Sequence, residues 1–504
     1  MKRIVLQIIK NALLVILILV LCLSLYSTNW AISTFNFMNF DEVLFQLTTP
    51  IASTSASILN SFLSNSLLLS IISTVLIFTV VFIILHYLSC KSFDIELTVK
   101  KKKYNFSVRG KTIKRCLGVF TFIITIGVLY YCLDKMLFID FVKAQADDSM
   151  FIEEHYIDPN SVSITFPEQK RNLIYIYAES FESTFFSTEL GGGSDNYYIA
   201  PLYDITANNV SFSDTELFGG AIPVTGTSWT SGAMVAHTSG LPLKNSLDNI
   251  NGMSSMLSGA TALGNIMEDN GYKQMLMIGS DKTFGNRGAY FENHGNYEVY
   301  DYYTAIKKKK IDKDYYEWWG FEDSKLFEYA KEEITNMANS GEPFNFTMLT
   351  SNTHTEDGYL ESTCPKAFGY QYGNVIYCSA LQLSEFIKWI QEQDFYPNTT
   401  VILVGDHVSM QEGLYPEGTP RRVYNVFINS AVQEGNFKNR KFTTLDFFPT
   451  TLASLGVEIE GNRLGLGTNL FSDQPTLMEE VGQDTMISEL TKYSTFYMKN
   501  FYYS

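Results

Sequence analysis

Val401-Ile-Leu-Val-Gly-Asp-His407 is an apolar run that ends abruptly in glycine, aspartate and histidine. A β-branched apolar run of this length predicts a buried strand, and α/β sheets place their ligands just past the carboxyl ends of strands. Asp406 and His407 would present a carboxylate oxygen and an imidazole nitrogen to one point in space, which suits a divalent metal. The alternative interpretation is an ordinary strand end with capping polar residues.

An earlier segment repeats this design. This segment is the strand-like run Asn172-Leu-Ile-Tyr-Ile-Tyr-Ala-Glu179, in which aliphatic and tyrosine side chains alternate. It ends in a single carboxylate, that of Glu179. Two strands that deliver acids to one edge of a sheet predict a metal site at that edge, with Glu179 beside Asp406 and His407.

From about residue 171 onward, strand-like and helix-like segments alternate along the chain. The predicted strands cover residues 173–178, 274–279, 344–349, 401–404 and 423–428. The predicted helices cover residues 263–270, 324–340, 375–393 and 443–455. Such alternation predicts an α/β sandwich with a mostly parallel sheet.

Three long apolar stretches lie in the first 140 positions, at about residues 4–26, 67–88 and 117–138. Each has about 20 residues, which is enough to cross the ~30 Å hydrocarbon layer of a bilayer. A secretory signal peptide is the alternative for the first stretch. Two further spans, and the lack of a small-residue cleavage site, favour a membrane anchor instead.

The basic residues predict the orientation of this anchor. Lys2 and Arg3 precede the first span, whereas the next loop, 27–66, contains neither lysine nor arginine. The loop between the second and third spans is rich in both: Lys91, Lys100, Lys101, Lys102, Lys103, Arg109, Lys111, Lys114 and Arg115. Because basic loops stay in the cytoplasm, we expect a cytoplasmic N-terminus. The expected layout is a cell-membrane anchor at 1–140, a linker at 141–170 and an extracytoplasmic domain at 171–504.

Charge and cysteine usage agree with an external domain. The formal net charge is −16, and the basic residues concentrate on the predicted inner side, which argues against nucleic acid as a partner. Cys364 and Cys378 are the cysteines of the external part, and they lie close enough to pair in an oxidising space. That disulfide would stabilise the fold by roughly 3 kcal/mol. The stretch 44–65 is expected to lie on the outer membrane surface or to form a plain loop.

The segment Pro223-Val-Thr-Gly-Thr-Ser-Trp-Thr-Ser-Gly-Ala-Met-Val-Ala236 is dense in hydroxyls and then becomes helix-like. A hydroxyl at a helix N-terminus near a dication is well placed as a nucleophile, because the metal lowers its pKa and the free N–H groups of the helix bind phosphate. The alternative is an ordinary Ser/Thr helix cap. Physical reasoning alone leaves four candidates open: Thr225, Thr227, Ser228 and Thr230.

The order of several short motifs resembles that of a known group of enzymes. The motifs are Ala178-Glu-Ser180, Thr227-Ser-Trp-Thr-Ser-Gly-Ala-Met-Val-Ala236, Phe284-Gly-Asn-Arg-Gly-Ala-Tyr-Phe-Glu-Asn-His-Gly295, Gly405-Asp-His407, Leu445-Asp-Phe-Phe-Pro-Thr-Thr-Leu452 and Leu464-Gly-Leu-Gly-Thr-Asn-Leu470. Over about residues 170–472 the chain is similar to the sulfatase-like branch of the alkaline phosphatase superfamily. More narrowly, it resembles the membrane-anchored phosphoglycerol transferases, which include lipoteichoic acid synthase and the osmoregulated-glucan enzyme. The resemblance implies an alkaline phosphatase/sulfatase-like α/β sandwich preceded by three transmembrane helices.

The resemblance also implies a metal centre and a nucleophile. Glu179, Asp406 and His407 match the metal ligands of the family. Thr230 matches its catalytic threonine, which also contacts the metal. The implied cofactor is Mn²⁺, and Mg²⁺ also suits a shell of carboxylate, imidazole and hydroxyl groups.

The implied substrate-binding residues are Arg287, His354 and His294. Arg287 and His354 match positions that hold the phosphoglycerol group, and guanidinium is a good bidentate partner for phosphate. A surface salt bridge is the alternative role for Arg287, and both histidines could be structural. The lipoteichoic acid synthases have a tryptophan where this chain has Gly285, and the features around His294 favour the glucan-type members.

The activity implied by the resemblance is transfer of glycerophosphate from phosphatidylglycerol to an envelope polysaccharide or glycolipid, through a phospho-threonine intermediate. A phosphoethanolamine transferase and a lipoteichoic acid synthase-type polymerase are alternatives, although phosphoethanolamine transferases usually carry more disulfides. A true sulfatase needs a nucleophile in a Cys/Ser-x-Pro-x-Arg setting, which this segment lacks. The non-enzymatic alternative is a glycan- or lipid-binding protein on a decayed enzyme fold.

Overall fold

The computed structural model describes residues 2–35, 40–48, 56–89, 92–99, 102–245, 256–411 and 413–502. These residues belong to two compact units. The smaller unit comprises Met1–Asn36 and Ser55–Asp140, and the larger unit comprises Phe37–Thr54 and Phe141–Ser504.

The α-helices of the described residues are α1 (Lys2–Phe35), α2 (Phe40–Thr48), α3 (Ala56–Phe62), α4 (Leu69–Ser89), α5 (Gly110–Lys135), α6 (Phe138–Gln145), α7 (Phe151–His155), α8 (Tyr203–Ala207), α9 (Thr230–Ser239), α10 (Leu263–Asp269), α11 (Arg287–Asn293), α12 (Tyr302–Lys307), α13 (Asp323–Ala338), α14 (Gln371–Gln391), α15 (Phe447–Ser454), α16 (Leu477–Val481), α17 (Gln483–Thr491) and α18 (Thr495–Tyr497). The strands are β1 (Ser92–Val99), β2 (Lys102–Arg109), β3 (Ile164–Thr165), β4 (Asn172–Ala178), β5 (Lys273–Ile278), β6 (Glu298–Tyr300), β7 (Phe344–Leu349), β8 (Thr399–Gly405), β9 (Asn425–Ile428), β10 (Glu458–Ile459), β11 (Arg463–Leu464) and β12 (Gly467–Thr468).

The smaller unit contains three helical segments long and apolar enough to cross a membrane, as the sequence predicts. They run over Ile8–Phe35, Ile58–Tyr87 and Arg115–Lys135. Helix α1 packs against both α4 and α5, and β1 and β2 form an antiparallel hairpin between α4 and α5 in the chain. The chain is therefore a membrane protein with an N-terminal group of three apolar helices.

The larger unit is built on a six-stranded sheet with the order β6-β5-β7-β4-β8-β9. All neighbouring strands run parallel except β9, which is antiparallel to β8. This confirms the predicted α/β fold with a mostly parallel sheet. Strand β6 was not predicted, because a run of three residues is too short to show a period.

Both faces of this sheet are buried. Along β4, Tyr175 and Tyr177 face one hydrophobic core, while Ile174 and Ile176 face the other. Helices α9 and α15 contribute to the first core, and α13 and α14 contribute to the second. Burial on both faces explains why β4 and β8 are apolar almost without interruption.

Two regions of the larger unit differ from the expectations. The segment 141–170, expected as a linker, is folded, because Phe141, Phe151 and Ile152 are buried and β3 pairs with β10. These apolar residues are too widely spaced in a polar segment to signal a folded region. Within 44–65, expected as a surface segment or loop, the first part belongs to α2, which is grouped with the larger unit.

The predicted disulfide is confirmed, since Cys364 and Cys378 are bonded to each other. It links the loop before α14 to that helix. The bond therefore closes a short loop on the side of the sheet that carries α13 and α14.

Candidate active site

The pairing of β4 with β8 brings two acids together. Ala178 and Gly405 are partners in the parallel register, so the next residues, Glu179 and Asp406, lie side by side at the carboxyl edge of the sheet. One ligand atom from each of Glu179, Asp406 and His407 lies within 4.8 Å of the others. His407 Nε2 is 3.6 Å from Glu179 Oε1 and 3.4 Å from Asp406 Oδ2. The two strand ends thus form the predicted three-residue cluster.

The hydrogen bonds around this cluster leave its ligand atoms pointing inward. Asp406 Oδ1 accepts from the backbone N–H groups of Ser180 and His407, each at 2.8 Å. Asp406 Oδ2 is buried and has no hydrogen-bond partner among the described residues. The Nδ1 of His407 donates to the carbonyl oxygen of Val408 at 2.8 Å, so in the neutral ring Nε2 carries the lone pair, and this atom faces the carboxylates.

Burial and neighbouring charges shift the pKa values of Asp406 and His407 in this cluster. Burial raises the pKa of Asp406 to about 7, and the neighbouring charge of Glu179 acts in the same direction. Burial lowers the pKa of His407, but the Asp406 and Glu179 carboxylates outweigh this effect and raise it overall. Two buried carboxylates, one of which has an oxygen without a hydrogen bond, and an imidazole nitrogen form a donor set that fits a divalent metal.

The hydroxyl of Thr230 lies beside this cluster. Thr230 is the first residue of α9 and follows Trp229, whose backbone is extended. Its Oγ1 donates to Glu179 Oε2 at 3.2 Å and lies 3.5 Å from His407 Nε2. Because the first N–H groups of a helix have no partner within the helix, an anion beside Thr230 would meet free donors.

The other three hydroxyl candidates bond elsewhere. Thr225 Oγ1 shares a hydrogen bond of 2.8 Å with Thr491 Oγ1. Thr227 Oγ1 donates to the carbonyl oxygen of Val224 at 2.9 Å, and Ser228 Oγ donates to Glu42. Of the four hydroxyls, the structure therefore brings Thr230 to the cluster.

Arg287, the first residue of α11, is a buried cation that lines a small cavity together with Glu179 and Thr230. Its Nε donates to the carbonyl oxygen of Phe284 at 3.0 Å and its Nη2 donates to Ser280 Oγ at 2.8 Å. No carboxylate of the described residues forms a salt bridge with it, so the alternative of a surface ion pair does not apply. Burial lowers the pKa of Arg287 to about 10, which leaves it charged at neutral pH. A buried, unpaired guanidinium favours an anionic ligand.

His354, in the loop after β7, also lines this cavity, and the ring of Trp319 packs on it with centroids 4.7 Å apart. The Nδ1 of His354 donates to the carbonyl oxygen of Thr355 at 2.8 Å, so its Nε2 acts as a hydrogen-bond acceptor. Burial lowers the pKa of His354 to about 4. The ring is therefore neutral at physiological pH, and its Nε2 can accept a hydrogen bond from a hydroxyl.

His294 does not join this group. Its Nδ1 faces the carbonyl oxygen of Tyr290 at 2.8 Å and its Nε2 faces that of Leu257 at 2.9 Å. With both ring nitrogens occupied, His294 connects α11 to a neighbouring loop. The expectation that it binds substrate is therefore not supported by its position.

Several residues at the site were not predicted. Thr350 Oγ1 accepts from the backbone N–H of Glu179 at 3.0 Å, and it follows β7, so the strand-end signal applied to it as well. The buried carboxylate of Asp323 accepts from the N–H groups of Ser351 and Asn352 at 2.7 and 3.1 Å, which fixes the loop that leads to His354. Trp319 also lines the cavity.

Residues 171–457 match the family described as sulfatase. The chain belongs to the sulfatase family. Its fold is that of the alkaline phosphatase superfamily, and lipooligosaccharide phosphoethanolamine transferase A from Neisseria meningitidis has a similar structure. That likeness has a TM-score of 0.51 at 13% identity and covers 88% of this chain and 84% of the other. A lipoteichoic acid synthase from Listeria monocytogenes matches with a TM-score of 0.48 at 18% identity, over 64% of this chain and 82% of the other.

Among relatives in sequence, phosphoglycerol transferase I of Escherichia coli (strain UTI89) is 27% identical over 347 residues. The match covers 66% of this chain and 43% of that enzyme. The chain thus spans less than half of the length of this relative.

Proposed function

We propose that this protein transfers a glycerophosphate group from phosphatidylglycerol to a hydroxyl of a cell-envelope glycan or glycolipid, through a phospho-threonine at Thr230. The observation that carries the proposal is the position of Thr230 Oγ1, at a helix N-terminus and in hydrogen-bond contact with Glu179 of the acidic cluster. The similarity to phosphoglycerol transferase I supports the choice of transferred group.

Glu179, Asp406, His407 and Thr230 would hold the cation. The donor set suits Mn²⁺ or Mg²⁺, and the family resemblance favours Mn²⁺. When bound, the cation lowers the pKa of the threonine hydroxyl and neutralises charge on the phosphoryl oxygens. The unpaired Oδ2 of Asp406 supports this assignment.

In the first half of the reaction, Thr230 Oγ1 attacks the phosphorus of phosphatidylglycerol. The bond between phosphorus and the diacylglycerol oxygen breaks, and diacylglycerol leaves as the alcohol, with a proton that balances the one given up by the Thr230 hydroxyl. Arg287 binds a phosphoryl oxygen through its guanidinium, and the N–H groups at the start of α9 provide further donors. The product on the enzyme is glycerophosphoryl-threonine.

In the second half, the hydroxyl of the acceptor attacks the same phosphorus and gives up its proton, while the bond between phosphorus and Thr230 Oγ1 breaks and the threonine hydroxyl regains a proton. His354 is neutral and presents Nε2 as an acceptor, so we assign to it the contact with the incoming hydroxyl or with the glycerol. Its packing on Trp319 fixes the ring in place. The transferred group ends as a phosphodiester on the acceptor.

The three apolar helices fit a donor that is confined to a bilayer. Basic loops favour the cytoplasm, so the N-terminus and the hairpin of β1 and β2 would be cytoplasmic, and the larger unit would face the outside of the cell membrane. In that arrangement the site and the envelope acceptor share one compartment.

The test is turnover of phosphatidylglycerol by the full-length protein in detergent with Mn²⁺ and a glycan acceptor. We expect release of diacylglycerol that chelation of the metal stops. Thr230→Ala should abolish release, while Thr225→Ala, which removes a hydroxyl directed away from the cluster, should retain it. Unaltered turnover by Thr230→Ala would exclude the proposed nucleophile. Turnover of phosphatidylethanolamine but not phosphatidylglycerol would identify a phosphoethanolamine transferase.

A further inference from the structure

Helix α2 brings two buried acids to the larger unit from a part of the chain that lies between the first two apolar stretches. Asp41 and Glu42 stand in the first turn of this helix, and their side chains are only 2% and 3% exposed. Acidic residues are rarely buried to this extent unless they have partners. Their partners are therefore informative about what the helix does.

Asp41 attaches the start of α2 to the segment after α9. Its Oδ1 accepts from the backbone N–H of Asn245 at 2.9 Å, and its carbonyl oxygen accepts from Asn245 Nδ2 at 2.9 Å. The buried Lys244 adds a favourable charge. This contact fixes the helix in place without touching the cavity.

Glu42 and Phe45 contact the two residues that precede Thr230. Ser228 Oγ donates to Glu42 Oε1, and the ring of Phe45 packs against Trp229 with centroids 5.5 Å apart. All four side chains are buried. Because Trp229 caps α9 with an extended backbone, the direction in which Thr230 enters the helix depends on the residues held by α2.

The same aromatic ring reaches the turn that carries Arg287. Gly285 has a φ of +60°, and a β-carbon built there would lie 3.4 Å from the ring edge of Phe45. Ser231 Oγ donates to the carbonyl oxygen of Gly285 at 2.9 Å. Phe45 thus packs where the turn before Thr230 (residues 228–230) meets the turn before Arg287 (residues 284–287).

We propose that α2 is a positioning element for the transfer reaction, in which Glu42 and Phe45 hold Ser228 and Trp229 so that Thr230 is directed at the acidic cluster. This inference rests on the proposed role of Thr230. It makes the segment between the first two apolar helices a part of the reaction machinery, in addition to any role in anchoring. Glu42 is accordingly a positioning residue and acts through Ser228.

The first experiment measures hydrogen–deuterium exchange in the metal-free full-length protein in detergent. We expect Glu42→Ala to speed exchange of the backbone amides of residues 228–233, whereas Glu42→Gln, which keeps an oxygen acceptor, should leave them protected. Glu332→Ala, which removes an exposed acid from α13, is the matched control. Unchanged exchange in Glu42→Ala would overturn the proposal, and this readout does not depend on the identity of the lipid donor.

The second experiment measures steady-state turnover of phosphatidylglycerol. We expect Glu42→Ala to lower kcat about 10- to 100-fold with little change in KM, and Glu42→Gln to recover most of the rate. Ser228→Ala should lower kcat similarly, and the double variant Glu42→Ala/Ser228→Ala should be no slower than either single variant. A full rate in Glu42→Ala, or additive losses in the double variant, would overturn the proposal. If the wild-type protein turns over no lipid, the proposed function fails, while the exchange experiment still decides whether α2 orders the turn.

Discussion

At the scale of single residues, the site combines buried charged groups whose hydrogen-bonding capacity is not fully used by the described part of the chain. Arg287 is held by a carbonyl oxygen and a serine hydroxyl, both of which are neutral acceptors. Asp406 keeps one oxygen without a hydrogen bond. Such groups destabilise the fold when nothing binds to them, so their presence indicates ligands of opposite charge.

Arg287→Lys tests the planar guanidinium. Lysine keeps the charge but lacks the fork that binds two phosphoryl oxygens, so we expect kcat/KM for phosphatidylglycerol to fall about 10- to 100-fold. Arg463→Lys is the matched control, because Arg463 forms a surface salt bridge with Glu480. Equal values of kcat/KM for Arg287→Lys and the wild type would argue against phosphate binding by this residue.

His237 provides a test of pH dependence that is separate from activity. It is fully buried in α9, its Nδ1 contacts Tyr175 Oη at 3.1 Å, and burial lowers its pKa to about 3. The unfolded chain binds a proton at this histidine below about pH 6.5, but the folded chain does not do so until much lower pH. The free energy of unfolding should therefore fall as the pH drops from 6.5, by about 3 kcal/mol at pH 4 from this residue.

The measurement is thermal or chemical unfolding of the metal-free protein between pH 7 and pH 4, for the wild type and for His237→Asn. Asparagine does not titrate and can keep a bond to Tyr175. We expect the free energy of unfolding to fall less steeply with decreasing pH in the variant. The difference in slope should correspond to nearly one proton fewer taken up on unfolding. Identical acid slopes for the two proteins would show that His237 is not neutral in the fold.

At the scale of elements, the N-terminal turn of α9 is packed tightly around glycine. A β-carbon on Gly232 would lie 2.7 Å from the carbonyl oxygen of Gly226 and 3.0 Å from the ring of Trp229. The first contact is with backbone, which has little freedom to move. Any side chain at this position would shift the turn that carries Thr230.

Gly232→Ala should therefore lower the free energy of unfolding by about 1–3 kcal/mol and reduce turnover as well. Gly369→Ala is the control, because a β-carbon there meets nothing within 4 Å and Gly369 has no positive φ. Both effects are measured on the full-length protein by denaturant unfolding and by diacylglycerol release. A stable and active Gly232→Ala variant would mean that the turn adjusts more freely than its packing suggests.

The strands that carry the proposed metal ligands were predictable, and the helix that packs against the residues preceding Thr230 was not. Strands β4 and β8 are buried on both faces, so each shows an apolar run that stops where its acid begins. Thr230 shared its segment with three other hydroxyls, and the chain pattern alone did not separate them. In α2, Glu42 contacts Ser228, which lies 186 positions later in the sequence, and Asp41 contacts Asn245, which lies 204 positions later. No local sequence pattern gives information on contacts between residues so far apart.

At the scale of the whole molecule, one chain combines apolar helices with a unit whose parallel strands end at a single cavity. Four neighbouring parallel strands, β5, β7, β4 and β8, supply residues to this edge or to the loops that follow it. The predicted layout treated the anchor and the larger unit as successive blocks. The placement of α2 in the larger unit shows that the chain contributes to that unit before its second apolar helix.

The central claim is that Thr230 carries the transferred group. Intact-protein and peptide mass spectrometry of the full-length protein, incubated with phosphatidylglycerol and Mn²⁺ in the absence of acceptor, tests it most directly. We predict a single glycerophosphoryl adduct that maps to Thr230, that is absent from Thr230→Ala and that disappears when an acceptor is added. Release of diacylglycerol with no adduct at Thr230, or with an adduct on another residue, would contradict the account.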